Sequence, residues 1–113
     1  MCSSGVFGTD TDEIKSVTEG DSVTLHTDLT KVLKMHQIRW MFGPRETRIA
    51  EIYNQNINMF KSNETFGDRL QVDNQTGSLT IRNIRSEHTG LYEVIHIFRG
   101  IFLKRFNVTL YGK

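Results

Sequence analysis

The stretch Ser86-Glu87-His88-Thr89-Gly90-Leu91-Tyr92-Glu93-Val94 decides how this chain folds. A small polar cluster feeds an apolar run in which Gly90, Tyr92 and Val94 are spaced two apart. That spacing sends them to one face of a strand and Leu91 and Glu93 to the other. The cluster before it is turn-forming, so the run reads as a corner followed by a central strand. About fifty residues upstream, Gln37-Ile38-Arg39-Trp40-Met41-Phe42 alternates in the same way. Its phase places Ile38, Trp40 and Phe42 inward and Gln37, Arg39 and Met41 outward.

Outward from these two runs the chain reads as short strands divided by turns. Thr9–Glu13 is polar and acidic, a lead-in to a short strand over Ile14–Val17. Gly20 and Asp21 turn the chain into a strand over Ser22–Thr27, with Val23, Leu25 and Thr27 on one face. Asp28–Met35 has no strong period and reads as a loop or a strand extension. Pro44 cannot sit in a central strand, so Gly43-Pro44 closes the Trp40 strand. Strands are expected at Ile49–Tyr53 and, more weakly, Ile57–Phe60. Leu70 and Val72 pair with Leu79 and Ile81 as a hairpin around a polar turn at Asp73–Gly77. Gly90–Phe98 and Ile101–Tyr111, turned at Arg99-Gly100, are the longest strands. No window carries a helical period. About nine short strands with regular turns predict an all-β antiparallel sandwich.

Composition narrows the function classes. The chain has 113 residues, enough for one domain with its own core. Residues 1–8 read as an N-terminal arm or the remnant of a signal peptide, and residues 9–113 as the single domain. Fourteen lysines and arginines against thirteen acids leave a net charge of +1. That balance favours neither nucleic acid nor an anionic membrane as partner. No apolar run approaches the ~20 residues of a membrane span. Any anchor is therefore expected outside this chain. Cys2 is the single cysteine, so no intrachain disulfide can form. A chain without disulfides is usual in the cytosol. Against that stand three N-glycosylation acceptor patterns, at Asn63, Asn74 and Asn107. Chance supplies roughly one in a chain of this length at ordinary residue frequencies. The excess points towards the secretory route.

Catalysis finds little footing. His26, His36, His88 and His96 lie on strand or turn positions without ligand spacing, and no cysteine pair supports a zinc site. Cys2 is far from any positioned base. There is no glycine-rich phosphate loop. The expectation is a protein that is not an enzyme, with no cofactor, no metal and no small-molecule substrate.

The tryptophan in Ile38-Arg39-Trp40 and the corner Gly90-Leu91-Tyr92-Glu93-Val94 resemble the immunoglobulin variable-type domain, over about Ile14–Tyr111. The resemblance implies that Trp40 fills the space between two sheets about 10 Å apart. It also implies that the Tyr92 hydroxyl bonds back to the loop backbone. Two short strands between Ile49 and Phe60 separate the variable from the constant type. The resemblance would put inter-sheet cysteines at Thr27 and Val94, and neither is cysteine. Losing that bridge forgoes about 2–5 kcal/mol, to be offset in part by Val94 packing on Trp40. The pattern also pairs an arginine, here Arg69, with an aspartate before the corner. That position holds His88, so an ion pair would have to use the adjacent Glu87, at under ~1 kcal/mol on the surface.

A disulfide-free variable domain carrying Trp40-Met41-Phe42-Gly43, Ile49-Ala50-Glu51, Asp68-Arg69-Leu70 and Thr76-Gly77-Ser78-Leu79-Thr80-Ile81 is similar to the membrane-distal domain of SLAM-family lymphocyte adhesion receptors. The resemblance implies the extracellular part of a cell-surface membrane protein. Its partner would be an immunoglobulin-domain surface protein, either a second copy in a weak homodimer or a relative. The binding face would be the sheet of Gln37–Phe42, Ile49–Tyr53, Gly90–Phe98 and Ile101–Tyr111. Alternation puts Gln37, Arg39, Met41, Glu51, Tyr53, Glu93, Ile95, Ile97 and Arg105 outward on it. Mixed charge there suits a self-complementary interface, with Arg39 or Arg105 against Glu51 or Glu93 of the partner. Outward Ile95 and Ile97 are apolar groups at a sheet centre, and His96 would point inward. Asn107 lies in phase with Arg105, so a glycan there would confine contact to the end near Arg99-Gly100. The alternative is an intracellular, mechanical immunoglobulin module of cytoskeletal or muscle type. It explains Thr27 and Val94 directly and predicts neither glycans nor the extra strand pair. A receptor binding peptide or glycan through its loops ranks below both, because Asp28–Met35 lacks aromatics.

Overall fold

Alternation and turn chemistry produce nine strands in two sheets in a computed structural model, which describes residues 10–27, 29, 31–32, 35–60 and 65–111. The expected arm, Cys2 and the Asn63 acceptor lie outside the described residues. The strands are β1 (Asp10–Val17), β2 (Val23–Leu25), β3 (Gln37–Phe42), β4 (Thr47–Tyr53) and β5 (Asn56–Met59). They continue as β6 (Leu70–Val72), β7 (Leu79–Ile81), β8 (Gly90–Ile97) and β9 (Ile101–Leu110). One sheet has six strands in the order β1-β9-β8-β3-β4-β5, and the other three in the order β2-β7-β6. The architecture is an immunoglobulin-like sandwich of variable type, with β4 and β5 as its added pair.

The core lies between the inner rows. Leu25, Ile38, Trp40, Ile49, Ile52, Leu79, Ile81, Tyr92 and Phe106 are all fully buried there. Trp40 sits opposite Val94 on β8 and Ala50 on β4. Its Nε1–H donates to the Gly77 carbonyl at 2.8 Å, which ties the centre of one sheet to the turn of the other. Gly77 is required there for two reasons. Its φ of +78° disfavours a side chain, and an added Cβ would lie 2.5 Å from Ile38 Cδ1. The β6–β7 turn is built by Asp73, whose Oδ1 accepts the amides of Gln75 and Thr76 at 2.7 and 3.2 Å.

The corner behaves as its sequence suggests. Residues Ser86–His88 form a 3-10 turn, and the Tyr92 hydroxyl donates to the His88 carbonyl at 2.5 Å. Burial raises the Tyr92 phenol well above its ordinary pKa, so it remains a donor. Thr27 and Val94 fill the positions where the resemblance implies a bridge. Val94 belongs to the core, while half-buried Thr27 donates its hydroxyl to the Thr76 carbonyl at 2.6 Å.

Several expectations are corrected. The Asp10–Glu13 lead-in is the first half of β1, which pairs in parallel with β9 from Asp10↔Leu103 to Val17↔Leu110. Arg69 makes no ion pair with Glu87 among the described residues; its Nη1 donates to the Asn83 carbonyl instead. His88 occupies the position where the pattern has aspartate. It is fully buried, stacks on Phe66, accepts the Arg85 amide at Nδ1 and lies 2.9 Å from the Thr65 carbonyl through Nε2. Phe66, from the connection before β6, is a core residue.

Candidate functional site

The outward row of the six-stranded sheet is built by register. Gln37 lies opposite Tyr53 and Ile97, Arg39 opposite Glu51 and Ile95, and Met41 opposite Glu93. Across β8 and β9, Glu93 meets Arg105, Ile95 meets Leu103 and Ile97 meets Ile101. All nine residues expected on this face thus share one side of one sheet, together with Leu103 and Ile101. The phase of β8 runs from Tyr92 to Ile97 without slipping against β3 or β9, so His96 points inward as expected.

Two of the nine are covered. Met41 and Glu93 are each only 5 % exposed, so neither offers the contact surface their outward phase suggested. The β3–β4 turn adds a second acid beside Glu93. Pairing with β4 shifts register between Trp40 and Met41. Beyond it, Gly43 and Glu46 adopt positive φ and are linked by a hydrogen bond from the Glu46 amide to the Gly43 carbonyl. This brings the Glu46 carboxyl onto Glu93. Burial holds the Glu93 carboxyl above the usual carboxylate range; the Arg105 hydrogen bond opposes the shift and Glu46 adds to it. No sequence signal short of the turn conformation itself announces this contact.

The charges of the surface are paired within the domain. Arg105 Nε lies 3.1 Å from Glu93 Oε2, and Nη1 lies 3.6 Å from Asp12 Oδ1 on β1. Glu51 Oε2 accepts from Gln37 at 2.7 Å and lies 3.6 Å from Arg39 Nη2. Arg39 and Arg105 thus each have an acid beside them within the domain. Arg39 is incompletely satisfied, since its Nε is buried without a hydrogen-bond acceptor among the described residues.

The surface therefore divides into tiers along the strands. At the end near the Arg99-Gly100 turn, half-buried Ile95, Ile97 and Leu103 lie beside exposed Ile101 and Tyr53, at 57 % and 63 %. An open hollow lined by Gln37, Glu51, Tyr53 and Asn56–Asn58 borders this apolar tier. The charged tier of Glu93, Arg105 and Asp12 lies in the middle. At the far end, exposed Asn107 sits between Leu91 on β8 and Ile14 on β1.

Behind the apolar tier, inward-facing His96 meets His36 with Nε2 and Nδ1 3.2 Å apart. Phe98 packs on His36 and Phe102 on His96, with the Arg99 guanidinium over Phe98. Burial, and then the charge of His36, hold His96 below the ordinary imidazole value. Two imidazoles do not make a metal centre, and no group of three or more candidate ligands is placed to hold an ion among the described residues.

A two-sheet sandwich with the Trp40 pin, the Tyr92 corner and the β4–β5 pair defines a variable-type immunoglobulin domain. The chain belongs to the immunoglobulin V-set family, whose domain it matches over residues 10–111. Among solved structures it is similar to the first Ig-like domain of human CD48, with a TM-score of 0.70 at 22 % identity over 98 % of this chain and 93 % of that one. The CD2-binding domain of CD58 is similar at a TM-score of 0.66 and 23 % identity over 88 % of this chain. This chain spans about half of that CD58 chain, 53 %. Tim-4 in complex with phosphatidylserine gives a TM-score of 0.69 at 17 % identity, over 86 % of this chain and 96 % of that one. At these identities the likeness is one of fold.

Proposed function

We propose that this is an extracellular recognition domain of a SLAM-type cell-surface adhesion receptor. It binds itself or a related immunoglobulin domain weakly through the six-stranded sheet. The apolar tier carries this reading. Ile95, Ile97, Leu103, Ile101 and Tyr53 gather at one end of a sheet whose neighbouring charges are already neutralised. Desolvating internally paired charges requires no charged counterpart from the partner, so the apolar tier would supply the affinity and the rim the specificity. Membership of a family whose similar structures include CD48 and the CD2-binding domain of CD58 supports the adhesion class.

The lack of any possible intrachain disulfide favours the intracellular mechanical module as second reading. The β4–β5 pair, which that module does not need, counts against it. Dilution followed by methyl NMR tests the recognition face. Concentration-dependent shifts are expected at Ile95, Ile97, Ile101 and Leu103. Shifts confined to the three-stranded sheet would move the interface elsewhere.

A further inference from the structure

We propose that Asn107 carries an N-linked glycan whose first sugars lie over Ile14, marking the lower limit of the recognition surface. This rests on the extracellular reading above, since the modification belongs to the secretory route. Asn107-Val108-Thr109 is an acceptor tripeptide, and β9 presents it in an open form: Asn107 and Thr109 are exposed while Phe106 and Val108 are buried. The Asn107 amide thus points out from the six-stranded sheet with the Thr109 hydroxyl two residues on, on the same side. In the transfer, Asn107 Nδ2 bonds to the anomeric carbon of an oligosaccharide carried on a polyprenyl pyrophosphate. The carbon–oxygen bond to the pyrophosphate breaks, and Nδ2 gives up one proton.

Register supplies the second observation. Ile14 of β1 lies directly opposite Asn107, and it is 74 % exposed. Its sequence neighbours Glu13 and Lys15 turn the other way and pair with each other at 2.9 Å. An isolated isoleucine this exposed, beside an acceptor asparagine, matches the apolar face of an N-acetylglucosamine ring. Asn107 lies six residues from Ile101, about 20 Å along an extended strand. The inner sugars would therefore cover the Ile14–Asn107–Leu91 row and leave the Ile97–Ile101 row free.

The test is secretion of the whole chain from animal cells behind a signal peptide, followed by glycopeptide mass spectrometry and hydroxyl-radical footprinting. Glycan at Asn107, lost in Asn107→Gln, is expected, together with several-fold weaker modification of Ile14 in the glycosylated protein than after enzymatic deglycosylation. Bare Asn107 beside an occupied Asn74 overturns the site while leaving the extracellular reading intact. Ile14 protection that survives deglycosylation and vanishes on dilution assigns Ile14 to a second copy, and overturns the glycan's role. Self-association of the deglycosylated protein, expected to be unchanged, reports on the recognition reading separately.

Discussion

The two rows of β8 sit on one strand and serve opposite ends. The inner row, Tyr92 and Val94 with His96 at its rim, is locked by the corner hydrogen bond, the Trp40 centre and the His36 contact. The outer row, Glu93, Ile95 and Ile97, is graded along its length. Glu93 is buried with Glu46 beside it, while Ile95 and Ile97, nearer the Arg99-Gly100 end, are half-buried. Inner positions are fixed by packing between sheets, so changes there should be read in stability. Outer positions beyond Glu93 remain partly open to solvent, so changes there should be read in association.

Breaking the inner row should cost most. Trp40→Ala removes the largest buried side chain and its bond to Gly77, and about 3–5 kcal/mol is expected to be lost in urea unfolding. Gly77→Ala forces a Cβ against Ile38 at a positive φ, and about 1–3 kcal/mol should be lost. Tyr92→Phe leaves the His88 carbonyl without its hydroxyl donor, and roughly 1–3 kcal/mol is expected to go. If Tyr92→Phe were neutral, the corner would not depend on that bond.

Protonation sharpens the same contrast with smaller effects of opposite sign. His96 has a folded pKa below its ordinary 6.5, so its contribution is complete above that value. As pH falls through 6.5 the unfolded chain takes up the proton first and stability is lost. Glu93 has a folded pKa above its ordinary 4.5. Its contribution is present below 4.5 and is lost as pH rises through the folded value, because the unfolded chain ionises first. Urea midpoints across pH should show His96→Gln with a shallower acid-side loss than wild type. Glu93→Gln should show a smaller loss as pH rises above 4.5. Identical profiles for all three proteins would remove both groups from the account.

What could be read before the structure follows from range. The β8 alternation, the Trp40 strand, the β6–β7 hairpin and the Tyr92 corner are local patterns, each written within ten residues by period-two spacing or turn chemistry. The outward phase of all nine face residues was legible for the same reason. The first half of β1 was not, because parallel pairing with β9 across some ninety residues leaves no local signature. Phe66 and His88 were missed as partners because their stack joins a polar loop to the corner. The Glu46–Glu93 contact was illegible because Glu46 makes it from a turn position with a left-handed backbone. Internal charge pairing across strands was visible only once register was known.

The most direct test of the recognition account is sedimentation of wild type and Ile97→Asp over a wide concentration range. Ile97 is partly exposed on the outer row, so the substitution should leave urea stability within about 0.5 kcal/mol. Wild type should associate weakly with rising concentration while Ile97→Asp stays monomeric. Equal monomeric behaviour of both proteins would contradict self-recognition through this sheet, and equal association of both would place the contact elsewhere on the domain.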